Sequence, residues 1–185
     1  IKPYLVAFLI FSGIVTQLGV GKSLAYEWTA AKDMWWQLSW RAPSIKPGTV
    51  LTGLNTHYRL EEGFNMWAPA NMIYYPTAKN PVIMAETISQ DFIKAIQMGT
   101  DPVRNFRTYI LGSETDKILV MSVPSDVSCL HLINGAAPNY SSYDPISIQF
   151  MGKYSKLDQV DVDAEPAAPP TVFFGEEPSH GWCYY

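Results

Sequence analysis

Cysteine, histidine and charge are all scarce in this chain. Its 185 residues include two cysteines, three histidines and only 16% charged side chains. Two cysteines far apart form no CxxC pair, which argues against a zinc site built on cysteine. No run of lysine or arginine exists, and the net charge is −4, so the chain lacks the basic footprint with which proteins hold nucleic acid. The phosphate-cradling patterns GxGxxG and GxxxxGK[ST], the nucleophile elbow GxSxG and the zinc motif HExxH are all missing. No cofactor is expected. The charged fraction also falls below the ~25% usual for soluble domains. With 48% hydrophobic and 14% aromatic residues, much of the surface is expected to face protein or lipid.

Against those absences stands one long apolar run. Residues 4–20 (YLVAFLIFSGIVTQLGV) carry no charged side chain, and only Ser12, Thr16 and Gln17 are polar. Seventeen such residues lie at the lower limit for a helix crossing a hydrocarbon core. The alternative is a buried helix of a soluble protein. A signal peptide would end in a small-residue cleavage site, and Gly19-Val20-Gly21 is a poor one, so a retained transmembrane helix is preferred. Residue 1 is Ile rather than Met, which suggests a processed chain or a piece of a longer one. Lys2, Lys22 and Lys32 do not settle orientation by the positive-inside rule.

The helical pattern continues past the apolar run. Leu24, Trp28, Ala31, Trp35 and Leu38 recur at spacings of four and three, which predicts one amphipathic helix up to Arg41, ended by Pro43. A helix over 4–41 would be roughly 57 Å long. Trp28, Trp35, Trp36 and Trp40 crowd its second half. Tryptophan suits both a membrane interface and a core. Trp35 is assigned to the core; Trp36 and Trp40, with Trp67 further on, are the candidates for a docking surface.

A domain of roughly 115 residues, enough for its own core, follows over 43–157. Pro43, Pro47 and Gly48 specify a turn, and 49–52 reads as a short strand. Residues 64–76 are aromatic-rich, with a short helix expected over 70–75. Residues 82–85 read as a strand. A helix is expected over 89–98, with Ser89 or Thr87 as N-cap and Gly99 as C-cap. Strands are then expected over 106–111, 117–123 and 128–133, with Gly112-Ser-Glu-Thr-Asp116 as a hairpin loop. Residues 146–150 read as a last strand. From 158 to 185 the acidic, proline-rich stretch Asp161-Val-Asp-Ala-Glu-Pro-Ala-Ala-Pro-Pro170 reads as a linker, followed by an aromatic C-terminal segment. That aromatic end suggests further chain beyond it. The expected fold class is α+β: a long N-terminal transmembrane helix over 1–42, then a small domain with a mainly antiparallel sheet.

Candidate chemistry is thin. Asp161 and Asp163 have the Asp-x-Asp form with which some sugar-nucleotide transferases hold a divalent metal, and hard cations need clustered carboxylate oxygens. Asp158 and Glu165 lie near them. The competing reading is a solvated linker. His57, His131 and His180 are far apart, in no ligand spacing. Cys129 lies two residues before His131, but a Cys–His nucleophile would need them within hydrogen-bond reach. Cys129 and Cys183 either form one disulfide, which an extracytoplasmic location would permit, or stand as two thiols. Arg104 and Arg107 flank Phe106 and could meet an anionic headgroup. Asn139-Tyr-Ser141 matches the N-glycosylation acceptor.

Two stretches carry a resemblance. Trp36-Gln-Leu-Ser-Trp-Arg-Ala-Pro43 with Ile45-Lys-Pro-Gly-Thr49, and Glu177-Pro-Ser-His-Gly-Trp-Cys-Tyr-Tyr185, resemble segments of uncharacterised bacterial polytopic membrane proteins. The N-terminal helices of those proteins are similar to C-type glycosyltransferases that use lipid-linked sugars. The resemblance implies the last transmembrane helix and the extracytoplasmic domain, with the family's catalytic loop outside this chain. Three expectations follow. The first is a docking or structural domain anchored in a cell membrane, extracytoplasmic, with the lipid bilayer and other transmembrane helices or subunits as partners. The second is part of a membrane glycosyltransferase, with Asp161, Asp163 and Arg104 as candidates. The third is a single-pass accessory subunit of an energy-transducing or photosynthetic complex, packed along Gly13, Gly19 and Gly21.

Overall fold

The structure, a computed structural model, describes residues 2–53, 64–106, 109–123, 128–140 and 145–163. Helix α1 (Lys2–Arg41) is unbroken for 40 residues, about 60 Å at ~1.5 Å per residue. No glycine or proline falls between Lys22 and Arg41, so nothing in that half of the helix weakens it. Every large apolar side chain from Tyr4 to Val20 is exposed: Tyr4, Phe8, Phe11 and Leu18 by 66% or more. From Ala31 the same helix is buried, and Met34, Trp35 and Leu38 are 3%, 1% and 0% exposed.

The rest folds as α+β behind this helix. In chain order come β1 (Ser44–Ile45), β2 (Val50–Gly53), α2 (Phe64–Tyr74), β3 (Met84–Glu86), α3 (Gln90–Met98), β4 (Val103–Phe106), β5 (Tyr109–Gly112), β6 (Ile118–Ser122), β7 (His131–Leu132), α4 (Ile146–Gly152) and β8 (Val160–Asp161). The central sheet has the order β3-β2-β6-β7. Among the described residues three of the five ladders are antiparallel: β1 with β8, β4 with β5, and β6 with β7. The centre is parallel, because β2 pairs in parallel with both β3 and β6.

Side-chain alternation builds a layer on each face of this sheet. Leu51, Leu119 and Met121 meet α1 and α2 through Trp35, Leu38, Met66, Ala70 and Ile73. Val50, Ile118 and Val120 meet α3 and α4 through Phe92, Ile96, Ile148 and Met151. That arrangement follows from the crossovers. The β2-to-β3 connection and the β3-to-β6 connection run in opposite directions along the sheet, and right-handed crossovers then place their helices on opposite faces. A strand covered on both sides reads as a continuous apolar run, as Ile-Leu-Val-Met does in β6, buried throughout.

Local signals fix the details. Lys46-Pro-Gly-Thr49 makes a tight turn: Thr49 N–H donates to the Lys46 carbonyl at 3.3 Å and Gly48 has φ +83°. Ser89 caps α3 by accepting from Phe92 N–H at 3.2 Å, and Gly99 ends it in the left-handed conformation. Gly53 (φ +101°) ends β2 where any Cβ would meet the backbone of Met121.

Three expectations are corrected. Residues 103–112 form a hairpin of their own, with Phe106 opposite Tyr109, rather than one strand starting at 106. Gly112-Ser-Glu-Thr-Asp116 is therefore not a hairpin loop but the passage from that hairpin to the central sheet. Residues 146–150 belong to helix α4, not a strand, because Ile148 and Met151 reach the core at a spacing of three. The 3-10 turn Leu157–Gln159 and strand β8 stay packed on the domain: Ile45 pairs with Val160, and buried Gln159 accepts from the Thr49 hydroxyl at 3.3 Å.

Candidate functional site

The polar side chains that the fold positions best lie where helix and domain join. Five consecutive α1 residues, Met34, Trp35, Trp36, Gln37 and Leu38, are buried. Five residues span more than one full turn, so the helix is covered on every side there. On one of those sides Gln37 accepts from the Leu130 N–H at 2.6 Å. A charge-free amide suits this role, since it bonds a backbone group inside the core without burying an ion.

Helix α2 grips the chain that leaves α1. The Tyr74 hydroxyl donates to the Ala42 carbonyl at 2.8 Å, and Tyr75 donates to the Ile45 carbonyl at 2.6 Å. Desolvation pushes both phenol pKa values above the ordinary tyrosine value, Tyr74 far more than Tyr75. One turn earlier Asn71 makes four hydrogen bonds. Its amide donates to the Trp67 carbonyl (2.6 Å) and the Ile83 carbonyl (2.7 Å). Its oxygen accepts from Val82 N–H (2.5 Å) and Ile83 N–H (3.0 Å). Asn71 thereby delivers the chain into β3.

A second polar cluster sits at the C-terminal end of the parallel strands. Glu86, 6% exposed, accepts from the Ser113 hydroxyl at 2.8 Å, and Thr52 donates to the Glu86 carbonyl at 2.7 Å. In sheets of this kind ligands gather at the strand ends where the chain order switches, here beside β2 and β6. Gly53 and Met121 close that point backbone to backbone, and the segments that continue from them, 54–63 and 124–127, lie outside the described residues. Glu86 therefore serves to tie the β4–β5 hairpin, through Ser113, to the sheet.

An open groove of about 640 Å³ is lined by Asn134, Lys153, Lys156, Asp158, Val160 and Val162 among others. The Lys153 ammonium already lies over the rings of Phe150 and Tyr154, 4.2 and 5.0 Å from their centroids. Two lysines and one carboxylate on an open surface supply no acid–base pair.

The residues singled out from sequence fall as follows. Trp36 is buried and offers no docking surface; its indole N–H has no hydrogen-bond partner among the described residues. Trp67 is half-buried against the core, and of the three docking candidates Trp40 is the exposed one, at 62%. Asp161 and Asp163 are exposed, and the Asp161 carboxylate accepts the Asp163 backbone N–H at 3.1 Å. No group of three or more His, Cys, Asp or Glu gathers among the described residues. Cys129 is disulfide-bonded and so cannot act as a thiolate nucleophile beside His131. Arg104 lies on β4 with its side chain outside the description, as are Arg107, His57, His180, Glu165 and Cys183. Asn139 is exposed; Ser141 of its acceptor triplet is outside the described residues. Sequence reasoning missed Gln37, Asn71, Tyr74, Tyr75 and the Glu86–Ser113 pair. Asn71 alone carried a signal, as one of two amides in an otherwise apolar helical stretch.

Fold and junction together define a class: an α+β domain whose core helix continues outward as an uncovered apolar helix long enough to cross a membrane. No protein-family model, curated protein or solved structure matches the chain.

Proposed function

We propose that this chain is the membrane-anchored, extracytoplasmic domain of a larger membrane protein or complex, with a structural and docking role. The observation that carries this reading is the change of environment along α1. Its first half is largely apolar, with every large apolar side chain exposed, and its second half from Ala31 packs into the core of the domain. A helix apolar all round needs an apolar surrounding. At about 25 cal/mol per Å² of apolar surface, seventeen such residues do not stay in water.

Two features support the finer placement. Tyr26 and Trp28, 53% and 56% exposed, stand between the apolar run and the domain, where amphipathic rings favour the bilayer interface. Cys129 is disulfide-bonded, and the sequence holds only one other cysteine, Cys183. Disulfides persist in oxidising compartments. The bilayer and neighbouring membrane subunits are the partners of this reading, and Trp40, like Trp28, is exposed on the side of α1 that the domain leaves open.

The test is alkaline carbonate extraction of native membranes, followed by a membrane-impermeant maleimide with and without reductant. The chain should stay with the lipid, and labelling from outside should require reduction. Release into the supernatant would refute the anchor, and thiols that label only after lysis would refute the extracytoplasmic placement.

A further inference from the structure

We infer that α1 carries a docking face for a transmembrane helix of a partner membrane subunit, centred on Gln17. The inference rests on the membrane reading above. Three polar side chains lie in the apolar run. Ser12 and Thr16 satisfy themselves by donating to the carbonyls of Leu9 (3.0 Å) and Ser12 (2.8 Å) within the helix. Gln17 makes no hydrogen bond among the described residues and is exposed. It lies five residues, about 7.5 Å, before Lys22 on the apolar side. A primary amide in hydrocarbon has two N–H donors and a carbonyl without partners, which is costly.

The surroundings of Gln17 favour a helix as the group that meets it. Gly13 and Gly21 flank it at i−4 and i+4 on the same face, and a side chain at either would meet nothing within 4 Å. Small residues at that spacing let a second backbone come close enough to bond the amide. The face is also continuous with an interface already in use. Seven-residue steps from Gln17 lead through exposed Leu24 to buried Ala31 and Leu38, which pack into the domain. A partner helix along Gln17 and Leu24 would therefore stand directly beneath the domain.

The same geometry selects a partner subunit over a second copy. At Met34 to Leu38 the helix is wrapped on every side, so no helix can run beside it at that level. Those residues begin only about 25 Å above Gln17. Two parallel copies in contact at Gln17 would have to bring two wrapped domains into one space. An antiparallel copy would put its domain on the other side of the membrane. The partner helix must end at the bilayer surface, below the domain, and must offer an amide, hydroxyl or carboxylate at the depth of Gln17.

The experiment places a photo-crosslinking amino acid at position 17, 24 or 15 of the full chain in native membranes. Val15 lies on the opposite face and serves as the lipid control. The expected result is one discrete protein adduct from positions 17 and 24 and only lipid adducts from position 15. Gln17→Leu should also weaken co-purification of that partner about threefold to tenfold in mild detergent, while Gln17→Asn retains most of it. Lipid adducts alone at all three positions, or an adduct with the mass of two copies of this chain, would overturn the proposal while leaving the anchor intact. Release of the chain by alkaline carbonate would overturn both.

Discussion

Cutting the chain at the boundary that proline suggests should unfold the domain, whereas cutting one helical segment earlier should not. A chain of residues 43–185 loses Met34, Trp35 and Leu38, which are 3%, 1% and 0% exposed. Each large apolar side chain contributes roughly 1.5–3 kcal/mol when fully buried. The three together come to roughly 5–9 kcal/mol. The Gln37 bond to Leu130 N–H adds about 1 kcal/mol. A domain of this size has roughly 5–15 kcal/mol in all. Removing α1 thus takes away most of the margin. A chain of residues 27–185 keeps every one of these contacts and discards the uncovered apolar half. Near-ultraviolet circular dichroism during a thermal ramp separates the two. The longer chain should melt cooperatively, and the shorter one should show no transition. A cooperative melt of 43–185 within a few degrees of 27–185 would refute the claim that α1 belongs to the core.

Three further outcomes are expected. Asn71→Ala removes the partners of the Ile83 N–H and carbonyl, at about 1–3 kcal/mol per orphaned buried group, so urea midpoints should fall by an amount equivalent to about 2–6 kcal/mol; an unchanged midpoint would show that Asn71 is no clamp. Tyr74 and Tyr75 have raised pKa values through desolvation, so the stability they confer is complete below the ordinary tyrosine pKa of about 10 and is lost as pH rises above it. Absorbance titration should show Tyr74 ionising only together with unfolding, and its ionisation in the native domain would contradict the buried bond to Ala42. Asp101 is the opposite case. The Thr115 backbone N–H and then its hydroxyl lower the Asp101 pKa, so its contribution is present above about pH 4 and is lost as pH falls through its folded value. Asp101→Asn should lower the melting temperature at pH 7 and much less at pH 2, and an equal effect at both would sink this account.

What the sequence made legible was local. The end signals of α3 were readable because Ser89 and Gly99 act within one turn of themselves. The apolar stripe of α1 was readable because its period is set by the helix alone. The parallel pairing of β2 with β3 and β6 was not, since partners 34 and 68 residues apart leave no spacing to recognise (Val50 opposite Met84 and Ile118). Residues 146–150 misled because Ile-Ser-Ile-Gln-Phe alternates like a strand, while the choice of helix was made by where the second sheet face needed Ile148 and Met151. The Trp36 and Trp40 pair shows the same limit. Both rings were equal candidates for a surface, and only the tertiary wrapping of α1 buries one and leaves the other out. Polar clamps such as Asn71 and Gln37 are harder still, because their partners are backbone groups that every residue possesses.

The continuity of α1 has a consequence for how such a domain can work. Between Lys22 and Ala31 the helix has neither glycine nor proline, and it enters the core without a linker. The domain therefore stands about 16 Å from the end of the apolar run and cannot swing freely relative to it. Tyr74, Tyr75 and Asn71 then hold the exit from α1 and the entry to β3 against the same face of the sheet. A tethered binding module would gain reach from a flexible linker, as random-coil segments provide. This chain instead spends its polar side chains on fixing height and rotation. On the proposed membrane reading, the same rigidity would hold the domain at a set height and rotation over the bilayer.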